Sequence, residues 1–215
     1  MGIITKIESQ KRSKDRVNIY VDGEYFTAVF TEIIYNFNIK KGMEINEEEL
    51  KPILKKEMYL GCKNKALNIL SKADQSEKTL KGKLIADYEE DTIDLVMEFL
   101  KKNKFLDDEI LAQKITNTNI NLNKFGKNKI KQNLYNKGID RDLISDVIEN
   151  IDNDVEYDNA LYLAKKRISR IKDTDKNKVK QKLYQHLLYK GFSYDIVNRV
   201  SRDLLNSSDE CDYLE

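Results

Sequence analysis

The chain alternates short apolar stretches with longer polar ones, and over most of its length the apolar positions keep helical spacing. Ile130 and Leu134 stand four apart, as do Leu183 and Leu187, which puts each pair on one face of a helix. The same kind of phrase then follows, "LYNKGIDRDLI" from Leu134 and "LLYKGFSYDIV" from Leu187. Gly138 and Gly191 suit the left-handed position just past a helix end, where a residue with a Cβ carries a steric penalty. Ile139 can fold back on Leu134 and staple to Ile144, while Asp140 caps the next helix. Phe192, Ser193 and Val197 supply the same parts in the second phrase. Each phrase therefore predicts a helix, a stop, a cap and a second helix.

The two glycines are 53 residues apart, and the match at that offset runs in both directions. Val147 and Ile151 correspond to Val200 and Leu204; Leu111 and Ile115 correspond to Ala164 and Ile168. Each repeat is thus predicted as three short helices. A shorter copy precedes them, with Ala66 and Leu70, then Leu80 and Leu84, then Ile93, Val96 and Leu100; Asp87 and Tyr88 stand where the glycine would be. Repeats near 50 residues argue for an array in which neighbours complete each other's cores. The N-terminal stretch differs: "RVNIYVDGEYFTAVF" carries Asp22-Gly23 between β-rich runs, a hairpin signal. Ile3 to Ser9 can add a third strand, 31–38 a short helix, and Asn46 can cap a longer helix to about Leu60. The predicted fold is mainly α: three tandem three-helix repeats in an elongated array, preceded by a small α/β N-terminal cap with a β-hairpin. The expected divisions are 1–60 for the cap, 61–106, 107–153 and 154–206 for the repeats, and 207–215 for a disordered acidic tail.

Composition adds little to that picture. Of 215 residues 35% are charged, Pro52 is the sole proline, and 38 Lys plus Arg nearly balance 37 Asp plus Glu, so net charge names no partner. Cys62 and Cys211 fit no metal or redox spacing and suit a reducing cytosol. No apolar run approaches the roughly 18 residues that span a bilayer. A soluble cytoplasmic protein is expected. The lone histidine, His186, lies between Leu183 and Leu187 and reads as a packing or surface residue. There is no Lys-Ser/Thr phosphate loop, paired-His metal motif or nucleophile elbow, so no cofactor and no catalytic residue is nominated. The acidic clusters "DYEED" at 87–91 and "DDE" at 107–109 precede apolar helical runs and read as complements to helix N-termini.

The distribution of charge is more informative. From Ala160 to Lys190 ten Lys or Arg face two Asp. Lys165, Lys166, Arg167, Arg170, Lys178, Lys182, Tyr189 and Lys190 are the candidate contact face, with Lys124, Lys127, Lys129, Lys131 and Lys137 as a secondary set. Acidic residues collect at 87–94, 146–158 and 206–215 instead. A basic, tyrosine-bearing face suits a phosphate backbone or an acidic protein surface.

These phrases in this order resemble the RecX family of recombination regulators. "YKGFSYDIVNRV" is similar to the family's third-repeat turn through Gly191, Phe192, Ser193, Tyr194 and Asp195. "FLDDEILAQKI" matches the start of its second repeat through Asp107, Asp108 and Ala112, and "FGKNKIKQNLYNKGI" matches through Gly126, Ile130, Leu134, Lys137, Gly138 and Ile139. Ala66, Leu67, Leu70, Ser76 and Leu80 fit the first repeat, and "IYVDGEYF" resembles the N-terminal extension of longer, Gram-positive-type members. Family members usually carry arginines after Leu70 and after Ile115, where this chain reads "SKADQSE" and "TNTNINLNK". The resemblance implies a non-enzymatic, monomeric modulator that binds the filament of the RecA recombinase on single-stranded DNA and restrains its growth, ATP hydrolysis and strand exchange. Bare single-stranded DNA would be bound weakly and in a salt-sensitive way, and no membrane is implied. Two alternatives follow from the residues alone: a helix-turn-helix-like DNA-binding protein acting without RecA, or a helical-repeat scaffold for another protein.

Overall fold

The computed structural model describes residues 2–11, 13–173 and 175–210. The chain divides into two compact units, one of residues 1–74 and 80–106 and the other of residues 75–79 and 107–215. None of the helices among the described residues is long and apolar enough to cross a membrane.

The first unit begins with β1 (Gly2–Ser9), β2 (Arg16–Val21), β3 (Glu24–Phe30), helix α1 (Thr31–Asn36) and β4 (Glu44–Ile45). Asp22 and Gly23 both have positive φ, +50° and +90°, as the tight β2–β3 hairpin requires. The strands form an antiparallel sheet in the order β3-β2-β1-β4. β4 lies beyond the three expected strands; its two residues pair with Gly2 and Ile3. On the other side of the sheet, β3 is an edge, and its backbone is partly blocked. Arg16 donates to the Ala28 carbonyl at 2.8 Å and pairs with Glu57 at 2.6 Å, while Glu57 accepts the Phe30 N–H at 2.8 Å.

Glu57 belongs to α2 (Glu47–Lys72), capped as expected by Asn46, which accepts from Glu49 N–H while the Glu49 side chain answers the Asn46 N–H. The expected boundary near residue 60 is not a break. α2 runs through Leu60, Gly61 and Cys62, because no stop signal stands there and both its ends have apolar surface to cover. Leu60 joins the core of Ile4, Val17, Ile19, Val29 and Ile33; Cys62 and Ala66 join the next core, with Leu80, Leu84, Ile93, Val96 and Leu100. That second core is built by α2 together with α3 (Glu77–Leu84) and α4 (Glu90–Lys102). Burial pushes the Cys62 thiol up to about 11, which leaves it protonated and unreactive near neutral pH. Glu89 makes no side-chain cap to α4, and Asp87 pairs with Lys65 instead.

The second unit holds the two longer repeats. One is α5 (Asp108–Asn121), α6 (Lys127–Asn136) and α7 (Arg141–Glu149); the other is α8 (Asn153–Ile168), α9 (Lys176–Tyr189) and α10 (Tyr194–Glu210). Residues 207–210 of the expected tail are therefore helical, and the remaining residues of that tail lie outside the described ones. The offset of 53 holds in three dimensions. Ile130, Leu134, Ile139 and Ile144 fill one core, and Leu183, Leu187, Phe192 and Val197 fill the other. Both stop turns close in the same way. Ile139 N–H reaches the Leu134 carbonyl and Gly138 N–H the Tyr135 carbonyl; Phe192 N–H reaches Leu187 and Gly191 N–H reaches Leu188. Gly138 and Gly191 have φ of +79° and +89°. Asp140 accepts from Asp142 N–H at 2.9 Å, and Ser193 from Ile196 N–H at 3.3 Å.

The repeats of this unit meet at a joint made largely of main chain. The N-terminus of α6 sits on the C-terminal turn of α9: Gly126 N–H donates to the Lys190 carbonyl and Asn128 N–H to the Gly191 carbonyl, both at 3.0 Å. A side chain would not fit between them. A Cβ on Gly191 would lie 2.3 Å from the Lys129 nitrogen, and one on Gly126 would lie 2.5 Å from the Gly191 carbonyl. Lys127 N–H donates to Glu156 of α8 at 2.9 Å. The first turn of α3 repeats the arrangement on the C-terminus of α6. Ser76 and Thr79 hydroxyls donate to the Lys137 carbonyl at 2.6 and 3.1 Å, and Glu77 N–H donates to Asp108 at 2.9 Å. Asn119, buried in α5, adds an amide network: it donates to the Ile115 carbonyl and accepts from Asn133. Asn159 of α8 donates to the Ile120 carbonyl beside it.

Gly191 thus serves two demands, positive φ and close backbone approach, whereas a Cβ at Gly138 would meet side-chain atoms, the Ser76 and Thr79 oxygens at 2.8 and 2.9 Å that hold the Lys137 carbonyl. Gly138→Ala is expected to cost about 1–2 kcal/mol, through its positive φ and the displaced hydroxyls, and Gly191→Ala about 2–4 kcal/mol. Urea denaturation read by circular dichroism measures both; equal losses would mean that the approach to Lys129 contributes nothing. Glu156 gives a pH test. Burial raises its pKa above the ordinary 4.5, against the Lys127 N–H bond, which lowers it. The folded chain therefore holds this proton to higher pH than the unfolded chain, and the contribution to stability falls as pH rises from 4.5 through the raised value. Glu156→Gln keeps an acceptor for Lys127 without the charge. Its stability relative to the parent chain should improve between pH 4 and pH 7; a constant difference across that range would contradict the burial cause.

Candidate functional site

The basic segment begins in the last turn of α8, where Lys165, Lys166 and Arg167 complement the negative end of the helix. Lys165 and Lys166 are exposed and Arg167 is half-buried; Arg170, also exposed, lies in the turn that follows, its N–H on the Arg167 carbonyl. No hydrogen-bond partner meets the buried Arg167 Nε among the described residues. α9 then starts with Asp175 as its cap, accepting from Asn177 and Lys178 N–H groups. Lys178, Lys182, Gln185 and Tyr189 are all exposed, while Val179, Leu183 and Leu187 turn inward. Lys182 is engaged: its ammonium pairs with Asp173 at 2.5 Å, so its charge is largely matched within the repeat.

At the other end of α9 the two nominated sets come together. Tyr189 is 74% exposed, and the Lys129 ammonium of α6 stands 5.8 Å from its ring centroid. The Lys190 ammonium stands 5.1 Å from the ring of Phe125, just before α6. These two cation–aromatic pairs flank the glycine joint from opposite chain segments. His186 belongs to the same neighbourhood. Burial lowers its pKa below 6.5, and the nearby Arg167 and Lys190 charges lower it further. Arg167, His186, Tyr189, Lys190, Phe125 and Lys129 thus form one cationic and aromatic group around the joint. Lys178 lies away from it, roughly 18 Å from Lys190 along the helix axis at about 1.5 Å per residue.

The rest of the secondary set is dispersed. Lys124 is half-buried at a positive φ of +55°, holding the turn into α6. The Lys127 ammonium donates to Asn153 at 2.8 Å, a structural tie between repeats. Lys131 and Lys137 are exposed, and Lys137 offers its carbonyl rather than its ammonium to the preceding turn. The meeting of Phe125 and Lys129 with Tyr189 and Lys190 had no signal in the sequence, because it depends on which turns touch.

Four family models match in order along the chain: the N-terminal domain of the regulatory protein RecX over residues 2–46, and its first, second and third three-helix domains over 62–100, 107–148 and 154–200. The chain is 62% identical over 206 residues to the regulatory protein RecX of Clostridioides difficile (strain 630), covering 96% of this chain and 97% of that one. To the protein of the same name in Clostridium perfringens (strain 13 / Type A) it is 41% identical over 210 residues, covering 96% and 98%. Among solved structures, a crystal structure of regulatory protein RecX superposes with a TM-score of 0.72 at 29% identity, covering 93% of this chain and 98% of that chain. The crystal structure of RecX from Lactobacillus salivarius gives 0.64 at 30% identity, covering 68% and 96%. With every repeat and the N-terminal sheet accounted for, this chain belongs to the RecX family of regulatory proteins.

Proposed function

We propose that this chain is a cytoplasmic, non-enzymatic regulator that binds the RecA–single-stranded DNA filament as a monomer and restrains its growth, ATP hydrolysis and strand exchange. Family membership supports the filament as the partner. The observation that carries the reading on this molecule is the cationic and aromatic group at the α6–α9 joint, where Lys129 and Tyr189 stand beside Lys190 and Arg167. Such a group offers charge to phosphates or to acidic side chains, and the exposed Tyr189 ring to whatever lies against it. Lys165, Lys166 and Arg170 are further exposed cations at the end of α8, and Lys178 adds a separate one in the first turn of α9. Several weak contacts on one chain add by linkage, so a few separate cations suffice to hold an ordered polymer. A near-neutral chain with a local positive surface binds bare single-stranded DNA weakly and loses that binding as salt rises.

A filament-dependent ATPase assay tests this. The chain is expected to slow ATP hydrolysis by RecA on single-stranded DNA, and the Arg170→Glu, Lys178→Glu double variant to inhibit several-fold less well at equal concentration. Lys182→Gln should change inhibition less, since Asp173 already matches that charge. An unaltered ATPase rate with the parent chain would end the filament reading. Duplex binding that is sequence-selective and independent of RecA would favour the helix-turn-helix alternative in its place.

A further inference from the structure

A groove separate from the α8–α9 cations lies between α6 and α7, about 600 Å³ in volume. Lys131, Tyr135 and Arg141 line it, with Asn128, Gln132 and Ser145 as its hydrogen-bonding groups and buried Ile144 as its apolar wall. The lining contains no acidic residue. Tyr135 is 56% exposed, and the Arg141 guanidinium stands 6.0 Å from its ring centroid. In a chain where 35% of residues are charged, neither Lys131 nor Arg141 has a carboxylate partner among the described residues. The Gln132 amide oxygen already accepts from Lys129 at 3.0 Å and the Ser145 hydroxyl donates to Glu149 at 3.4 Å, which leaves the Gln132 NH₂ as the donor with bonds to give and the Ser145 oxygen as an acceptor.

Those features describe one kind of ligand. An exposed ring wants a flat partner, two unmatched cations want an anion within reach of it, and amides with a hydroxyl want a heteroatom edge. We propose that the α6–α7 groove is a nucleotide subsite: a base stacks on Tyr135, its edge meets Gln132, Asn128 or Ser145, and its phosphate lies between Lys131 and Arg141. The subsite deepens the filament reading and rests on it for the presence of single-stranded DNA, yet it sits on helices of the middle repeat rather than on the α8–α9 surface. Tyr135 stands three residues before Gly138, whose N–H meets its carbonyl. There the tight turn brings Arg141, first residue of α7, back toward it.

The base and phosphate could come from a strand of DNA or from a free nucleotide, and one experiment separates them. Fluorescence anisotropy of a labelled oligo-dT is titrated with the full chain, without recombinase, at several salt concentrations; unlabelled dTMP and ATP are then added as competitors. Tyr135→Ala should weaken oligonucleotide binding about tenfold and Tyr135→Phe should leave it nearly intact, as expected for stacking on a ring. Arg141→Gln should reduce the slope of log affinity against log salt by about 1. Competition by dTMP or ATP at micromolar concentration would assign the groove to free nucleotide; competition at no less than several millimolar would assign it to the strand. Equal binding by Tyr135→Ala, or a loss in Tyr135→Phe as large as in Tyr135→Ala, would overturn the proposal. If Tyr135→Ala lowers thermal stability, Tyr135→Phe and Arg141→Gln still decide. Retained inhibition of the RecA ATPase by Tyr135→Ala, alongside unchanged oligonucleotide binding, would remove the subsite and leave the filament reading standing.

Discussion

The unsatisfied N–H groups at the start of one middle helix meet the unsatisfied carbonyls at the end of the next, and the second unit is organised around that fact. A helix leaves its first N–H and last C=O groups without partners, and burying them unpaired is costly. Here α6 gives the N–H groups of Gly126 and Asn128 to the carbonyls of Lys190 and Gly191, and an acid on α8 takes the N–H of Lys127. Opposite helix-end partial charges face each other, so the dipoles add to the bonds. The first turn of α3 uses hydroxyls where α6 uses backbone, yet it reaches the equivalent carbonyl, that of Lys137, and the equivalent acid, Asp108. The two joints share a plan and differ in chemistry, the one with glycines allowing the closer approach.

The same joint positions the cations. Because the C-terminal turn of α9 is held against the start of α6, Tyr189 and Lys190 come to lie beside Lys129 and Phe125, which are some sixty residues earlier in the chain. A tally of lysines does not distinguish these from Lys182, matched by Asp173, or from Lys127, tied to Asn153. Charge that is matched inside a repeat offers a partner little, whereas charge held next to an exposed ring offers both attraction and shape.

Much of this was legible in the sequence, for identifiable reasons. The stop turns were legible because positive φ selects glycine and because the caps at Asp140 and Ser193 follow at fixed spacing. The hairpin was legible from Asp22-Gly23, and the cap of α2 from Asn46 with Glu49. The unbroken run of α2 through Leu60 was not, since a helix shared by two cores carries two apolar faces and its spacing reads as two helices. β4 was missed because two residues leave no alternation to detect, and its pairing with Gly2 and Ile3 spans about forty residues. The Asn and Thr run after Ile115 carries no apolar pattern that marks it as interior, yet Thr116 and Asn119 are buried, the latter satisfied by its amide bonds. Neither the contact of Gly126 with Gly191 nor the carboxyl roles of Asp108 and Glu156 had a local signal, because both depend on which repeat ends touch.

The open flank of the N-terminal sheet has its own consequence. A bare strand edge is a template on which other extended chains, including copies of the same one, can add themselves indefinitely. Arg16 and Glu57 occupy the Ala28 carbonyl and the Phe30 N–H, so these two groups of β3 are closed to an added strand. An ion pair that ties sheet to helix thereby also takes up part of the strand edge on which another chain would have to pair.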